Sequence, residues 1–243
     1  MYWKDYLLFL PAILACMGFS IYASVKVRSS FTKYNKVRSR SGLNGYQTAT
    51  RLLNMGGVQD ISVGSVRGEL TDHYHPKKKV VNLSESTYGS NSVAAVAVAA
   101  HEIGHVMQNR DGYLPYRIRT AIVPAVNIGS FLAMPLVLLG VCLELFVQLA
   151  NPDTGFYVAM VGVVLYGLSF LFTLVTLPVE LNASRRAKAM LIDAGVLSED
   201  EIPAATKVLS AAAMTYLASM LTSLVHFLRF LFHVLAIFGK RDR

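Results

Sequence analysis

Long stretches of this chain run without a charged side chain, and no other feature limits its fold as strongly. Tyr6–Val25 covers 20 residues, Ala121–Leu143 covers 23 and Thr154–Val179 covers 26. A helix needs about 20 apolar residues to cross the ~30 Å hydrocarbon core, where it satisfies its own backbone polar groups. The first run is followed by basic residues instead of being preceded by them. It also exceeds the ~7–15 residues of a signal-peptide apolar region, so it reads as an uncleaved anchor. Pro11 is tolerable inside a membrane helix, and Tyr2, Trp3 and Tyr6 suit an interface.

Composition agrees. Charged residues are 16% of the 243, against about 25% in soluble domains, and mean hydropathy is +0.44. The formal charge of +8 on so apolar a chain suits anionic lipid better than nucleic acid, so no nucleic-acid partner is expected. Disorder, collagen, a coiled coil and a disulfide scaffold are excluded. Cys16 and Cys142 both lie in apolar runs and read as small hydrophobes.

The second and third runs are separated by Asn151-Pro152-Asp153-Thr154-Gly155, a turn sequence without a basic residue, and so predict a helical hairpin. The hairpin's other ends carry Arg117, Arg119, Arg185, Arg186 and Lys188, and the first run is followed by Lys26, Arg28, Lys33, Lys36, Arg38 and Arg40. The positive-inside rule places these clusters in the cytoplasm, with the N-terminus and the turn outside. Met214–Phe238 is apolar enough to span, but Arg229 sits near its centre between His226 and His233. A central arginine costs about 2.5–3.5 kcal/mol on the insertion scale. Two readings stay open: a helix packed on the bundle or at the interface, and a fourth span.

Residues 26–120 resemble a small soluble domain. Asn44–Met55 reads as a short helix ended by Gly56-Gly57. Ile61–Leu70 and Lys79–Leu83 read as strands, with His75-Pro76 as the turn between them. Ser90-Asn91-Ser92 can cap a helix from Val93 to about Asn109. So small a domain has a limited core of its own and is expected to lean on the membrane helices.

That last helix contains His101-Glu102-Ile103-Gly104-His105. A spacing of four puts both imidazoles on one helical face, able to share one tetrahedral Zn²⁺. Glu102 lies on a neighbouring azimuth, where it can act as general base toward zinc-activated water. The plain alternative is a charged turn on an exposed helix. It fits badly, because Val93–Ala100 is an unbroken apolar run and a buried His-Glu-His is costly without a partner.

A catalytic zinc takes a third protein ligand. Asp111 lies six residues past His105, where a metzincin has its last ligand, but Gln108 occupies the position of the turn glycine. Glu180 emerges at the cytoplasmic end of the third run, on the side assigned to the histidines, and the hairpin explains how it returns to them. Its plain reading is a helix-start glutamate facing the helix dipole, or a partner for Arg185 or Arg186. Asp153 in the turn is a third candidate, placed outside by the topology.

The octet 101–108 (HEIGHVMQ), the run 92–100 before it, Leu70-Thr71-Asp72-His73-Tyr74 and 180–187 (ELNASRRA) together resemble the neutral zinc metallopeptidases of the bacterial YugP family. The resemblance covers nearly the whole chain. It implies that His101, His105 and Glu180 are metal ligands and Glu102 the catalytic base. More distantly the layout is similar to the HtpX and CAAX-prenyl gluzincins. Those place an aspartate four residues after the distant glutamate, where this chain has Ser184.

Other candidates are weaker. His73 and His75 share a face if extended, which allows a second metal site or simply a turn before a strand. Lys79–Leu83 could be an edge strand that pairs with an extended substrate. Tyr88, Tyr113, Tyr116 and Arg186 are candidate oxyanion donors, and no P-loop or C-x-x-C occurs.

The expectation is a mostly α integral membrane protein with three transmembrane helices, 214–238 being a candidate fourth, and a small α+β gluzincin-like domain. Its parts are an anchor at 1–25, a cytoplasmic zinc-site domain at 26–120, a transmembrane hairpin at 121–179 and a final stretch at 180–243. The expected function is a multi-pass zinc metalloendopeptidase of the cell membrane, cutting membrane or membrane-proximal proteins on the cytoplasmic side. A homo-oligomer or an accessory membrane protein is compatible with such a site. The rival is a non-catalytic zinc-containing scaffold or chaperone-like partner, although structural zinc would not need Glu102.

Overall fold

The computed structural model describes residues 2–147 and 153–238. Among these residues, seven helices and three short strands follow in the order α1 (Tyr2–Tyr34), α2 (Gly45–Met55), β1 (Ser62–Val66), β2 (His73–His75), β3 (Val80–Ser84), α3 (Glu85–Tyr88), α4 (Val93–Arg110), α5 (Leu114–Phe146), α6 (Thr154–Asp193) and α7 (Ile202–Phe238). Four of the helices, α1, α5, α6 and α7, are long and apolar enough to cross a membrane. Asn151 and Pro152 of the expected turn and the terminal Lys240, Arg241 and Arg243 lie outside the described residues.

The chain divides into two compact units. One holds residues 1–21, 118–177 and 216–243. Within it α5 and α6 approach closely through small residues: a Cβ on Gly140 would sit 2.4 Å from the Ala159 nitrogen, and one on Gly162 would sit 2.6 Å from the Ala133 oxygen. Where lipid supplies no hydrophobic drive between helices, such backbone proximity holds them by van der Waals contact. Helix α7 lies antiparallel along α6, with Phe238 against Phe156, Phe230 against Tyr166, Phe227 stacked on Phe170, and Ser223 Oγ 2.7 Å from Thr173 Oγ1. Leu8, Ile21, Phe131, Leu138, Tyr157 and Val164 are exposed large apolar side chains, as a lipid-facing surface requires.

The other unit joins residues 22–117 to 178–215. Its axis is α4, whose Val93, Val96, Ala97, Ala100 and Ile103 are fully buried. Ala49, Leu52 and Leu53 of α2, Val81 and Leu83 of β3, Ala187 and Leu191 of α6, and Ala205 and Leu209 of α7 complete the same core. Residues 26–120 therefore do not close a core alone, as their size suggested. Local signals set the helix boundaries. Asn44 and Gln47 form a reciprocal capping box on α2, and Ser92 Oγ accepts from the Ala95 N–H to start α4.

The sheet order is β1-β3-β2, with β3 parallel to β1 and antiparallel to β2. This corrects two expectations. The strand at 80–84 is central, not an edge, so its ladder is already filled on both sides. The stretch His73–His75 is a strand of its own, with His73 opposite Asn82 and His75 opposite Val80. The expected strand Ile61–Leu70 shortens to Ser62–Val66, because Gly68 and Leu70 take positive φ values of 105° and 57° that break extension.

Candidate metal centre

Helix α4 presents His101 and His105 one turn apart with Glu102 between them in sequence, and α6 brings Glu180 to them. Glu180 Oε2 lies 3.2 Å from His101 Nε2 and 3.6 Å from His105 Nε2. The two imidazole rings meet edge to face, with centroids 4.8 Å apart. One ligand atom from each of the three residues lies within 4.8 Å of the others, and among the described residues this is the only group of three or more potential ligands.

Gly104 makes the meeting of the helices possible. A Cβ there would lie 2.6 Å from the Ala183 carbonyl oxygen, so only glycine lets α4 approach α6 to this distance. The middle of the H-E-x-x-H motif thus positions the third side chain as well as spacing the first two.

Burial sets the electrostatics. Glu180 is 2% exposed, Glu102 7% and His105 8%. Burial pushes the Glu102 carboxyl above its ordinary pKa, and the neighbouring imidazoles only partly offset this. For His105, burial favours the neutral ring, but hydrogen bonding to Glu180 and the charges of Glu180 and Glu102 outweigh it, and its pKa is raised. Two carboxylates and two imidazoles enclosed together make a site able to hold a cation. The donor set of two imidazole nitrogens and one carboxylate oxygen is the set a catalytic zinc takes.

Two further side chains touch this group without having been assigned a role from the sequence. Ser184 Oγ lies 3.2 Å from His101 Nδ1, so a hydroxyl stands where the distant gluzincins place an aspartate. Gln108 Oε1 lies 2.9 Å from His105 Nδ1, and its Nε2 donates to the Val179 carbonyl and to Asn182 Oδ1. Gln108 stood in the octet that carried the family resemblance, which was the one signal available for it.

The remaining candidates separate clearly. Asp111 caps α4 and is paired with Arg186 at 2.5 Å and Arg110 at 3.2 Å, away from the three-ligand group. Tyr116 is buried, with its ring 6.2 Å from that of His105, whereas Tyr88 packs on Tyr46. His73 lies between the Thr71 carbonyl and Asn82, and His75 Nδ1 accepts from the Lys78 N–H. Asp72 accepts from the backbone and hydroxyl of Ser84, tying the start of β2 to the end of β3.

Comparison with known proteins gives the family. Residues 8–235 match a family model described as "putative neutral zinc metallopeptidase". A protein of Bacillus subtilis (strain 168) named "putative membrane protease YugP" is 42% identical over 224 residues, covering 92% of this chain and 95% of its own. No solved structure matches. With zinc as that family's metal and a buried His-His-Glu group able to hold it, the chain belongs to this family of zinc metallopeptidases.

Proposed function

We propose that the protein is a membrane-embedded zinc metalloendopeptidase of the gluzincin type, with His101, His105 and Glu180 as zinc ligands and Glu102 as general base. The observation that carries this reading is the buried convergence of the three ligand atoms beside Glu102, on two helices whose close approach depends on Gly104. Zinc on those ligands would supply Lewis acidity toward a scissile carbonyl and lower the pKa of water. Glu102 accepts the proton from water, and burial makes it a stronger acceptor than a solvated carboxylate. The same carboxyl then returns the proton to the leaving amine. Glu180 directly follows the charge-free run 154–179 on one continuous helix, which supports a site near the lipid surface and membrane-proximal protein substrates. The basic clusters support the cytoplasmic side, and the filled α6–α7 seam supports α7 as a fourth span.

The test is zinc content and peptide cleavage by purified full-length protein. Glu102→Gln should keep zinc and lose cleavage by at least ~100-fold, the scale of general-base catalysis. Glu180→Ala should lose both. Cleavage surviving in Glu102→Gln would exclude this mechanism and favour a zinc-holding scaffold role.

A further inference from the structure

Gln108 is fully buried at 0% exposure, and a buried primary amide must satisfy one acceptor and two donors. Spacing of three on α4 puts it on the face of His105. Its orientation follows from two partners whose hydrogen-bonding sense is unambiguous. The Val179 carbonyl can only accept, so the group 2.8 Å from it is the amide nitrogen. The Arg186 guanidinium can only donate, so the Asn182 atom 3.0 Å from its Nε is Oδ1. That oxygen lies 2.9 Å from the same Gln108 nitrogen and takes its second hydrogen. Both amide hydrogens are thereby used, and the oxygen is left facing His105 Nδ1 at 2.9 Å. An acceptor there requires Nδ1 to carry the hydrogen, and Nε2, the nitrogen that faces Glu180, is left with its lone pair.

We propose that Gln108, oriented by Val179, Asn182 and Arg186, is a positioning residue that fixes His105 as the Nδ1–H tautomer and so presents Nε2 to zinc. This rests on the zinc-site reading above. Val179 immediately precedes Glu180, so one amide both selects the tautomer of one ligand and ties its helix to the backbone that carries another. Arg186 is anchored in turn by Asp111. Asp111 therefore serves the centre through Arg186 and not as a ligand.

The test uses full-length protein in nanodiscs, with zinc affinity read by chelator competition. The His105 tautomer is read by nitrogen-15 NMR of histidine-labelled, zinc-stripped protein at alkaline pH, with His105→Gln giving the assignment. Wild type and Asn182→Asp, which keeps an acceptor for Gln108 and Arg186, should show the Nδ1–H form. Gln108→Met should show a mixture and bind zinc about 10–100-fold more weakly, the usual effect of losing a ligand's outer partner. Asn182→Leu, which frees one amide hydrogen, should weaken zinc in the same direction. A retained Nδ1–H form or wild-type zinc affinity in Gln108→Met overturns the proposal. If that variant does not fold, the Asn182 pair decides: loss in Leu but not in Asp supports it, and equal behaviour of the two overturns it. Wild type that binds zinc while the variants match it overturns this proposal alone. Wild type that binds none overturns the zinc-site reading with it.

Discussion

A proton and a zinc ion compete for the same lone pair on His105. Because Glu180 and Glu102 outweigh burial and raise its pKa, the proton holds on to higher pH than on a free imidazole. Zinc affinity should therefore begin to fall, on acidification, above the ordinary imidazole value of about 6.5. The sign for folding is opposite. A raised pKa contributes stability fully below the unfolded value and loses it as pH rises through the folded one, so zinc-stripped protein should unfold more easily as the medium turns alkaline. Glu102→Gln removes one of the charges that raise the pKa, and its onset of zinc loss should move to lower pH. Zinc titrations across pH on the two proteins check this, and an onset unmoved by the substitution would refute the coupling.

The element that matters most is α4, and two of its positions make opposite demands. Ser92 secures its start by accepting from the Ala95 N–H, a cap whose removal in Ser92→Ala should cost about 1 kcal/mol. The loss should appear as a lower melting temperature, with zinc stoichiometry unchanged. Gly104 lies where α4 meets α6. Replacing a helical glycine by alanine ordinarily stabilises a helix by roughly 0.5–1 kcal/mol. Here the added Cβ would collide with the Ala183 carbonyl and force the helices apart. Gly104→Ala should thus weaken zinc binding sharply while leaving helix content by circular dichroism intact. Retained zinc affinity would show that the helices can shift without loss of the third ligand.

Across the whole molecule, the open question from the sequence was α7. Its partners on α6 run from Phe156 to Thr173, about 26 Å at ~1.5 Å per residue, which matches most of the hydrocarbon thickness. Arg229 lies within that stretch, over the Phe230 ring at 5.2 Å and beside a cavity that Phe9, Met134 and His233 also line. Four spans would put both ends of the chain on the side of the 151–155 turn, which is the outside under the orientation proposed above. A reporter fused at the C-terminus should register the same side as one inserted in the 151–155 turn. The opposite side would return α7 to the bundle-packed or interfacial reading.

Three things were legible in the residues alone. Charge-free runs of membrane length read as helices because lipid offers backbone groups no other partner. Two histidines four apart share a helix face by geometry alone, and the Ser92 and Asn44 caps act within one turn of themselves. Glu180 could be named because the hairpin returns the chain and because the family resemblance pointed to it. The rest depends on segments far apart in the chain. Strand β2 is three residues long and exists through its pairing with β3, which also makes β3 central instead of an edge. The amide that links His105 to α6 needs partners 71 and 74 residues away. Hydrogen bonds of that kind leave no periodicity in a sequence, so the membrane helices and the two histidines could be read from the residues. Only the packing of α4 on α6 decided what surrounds them.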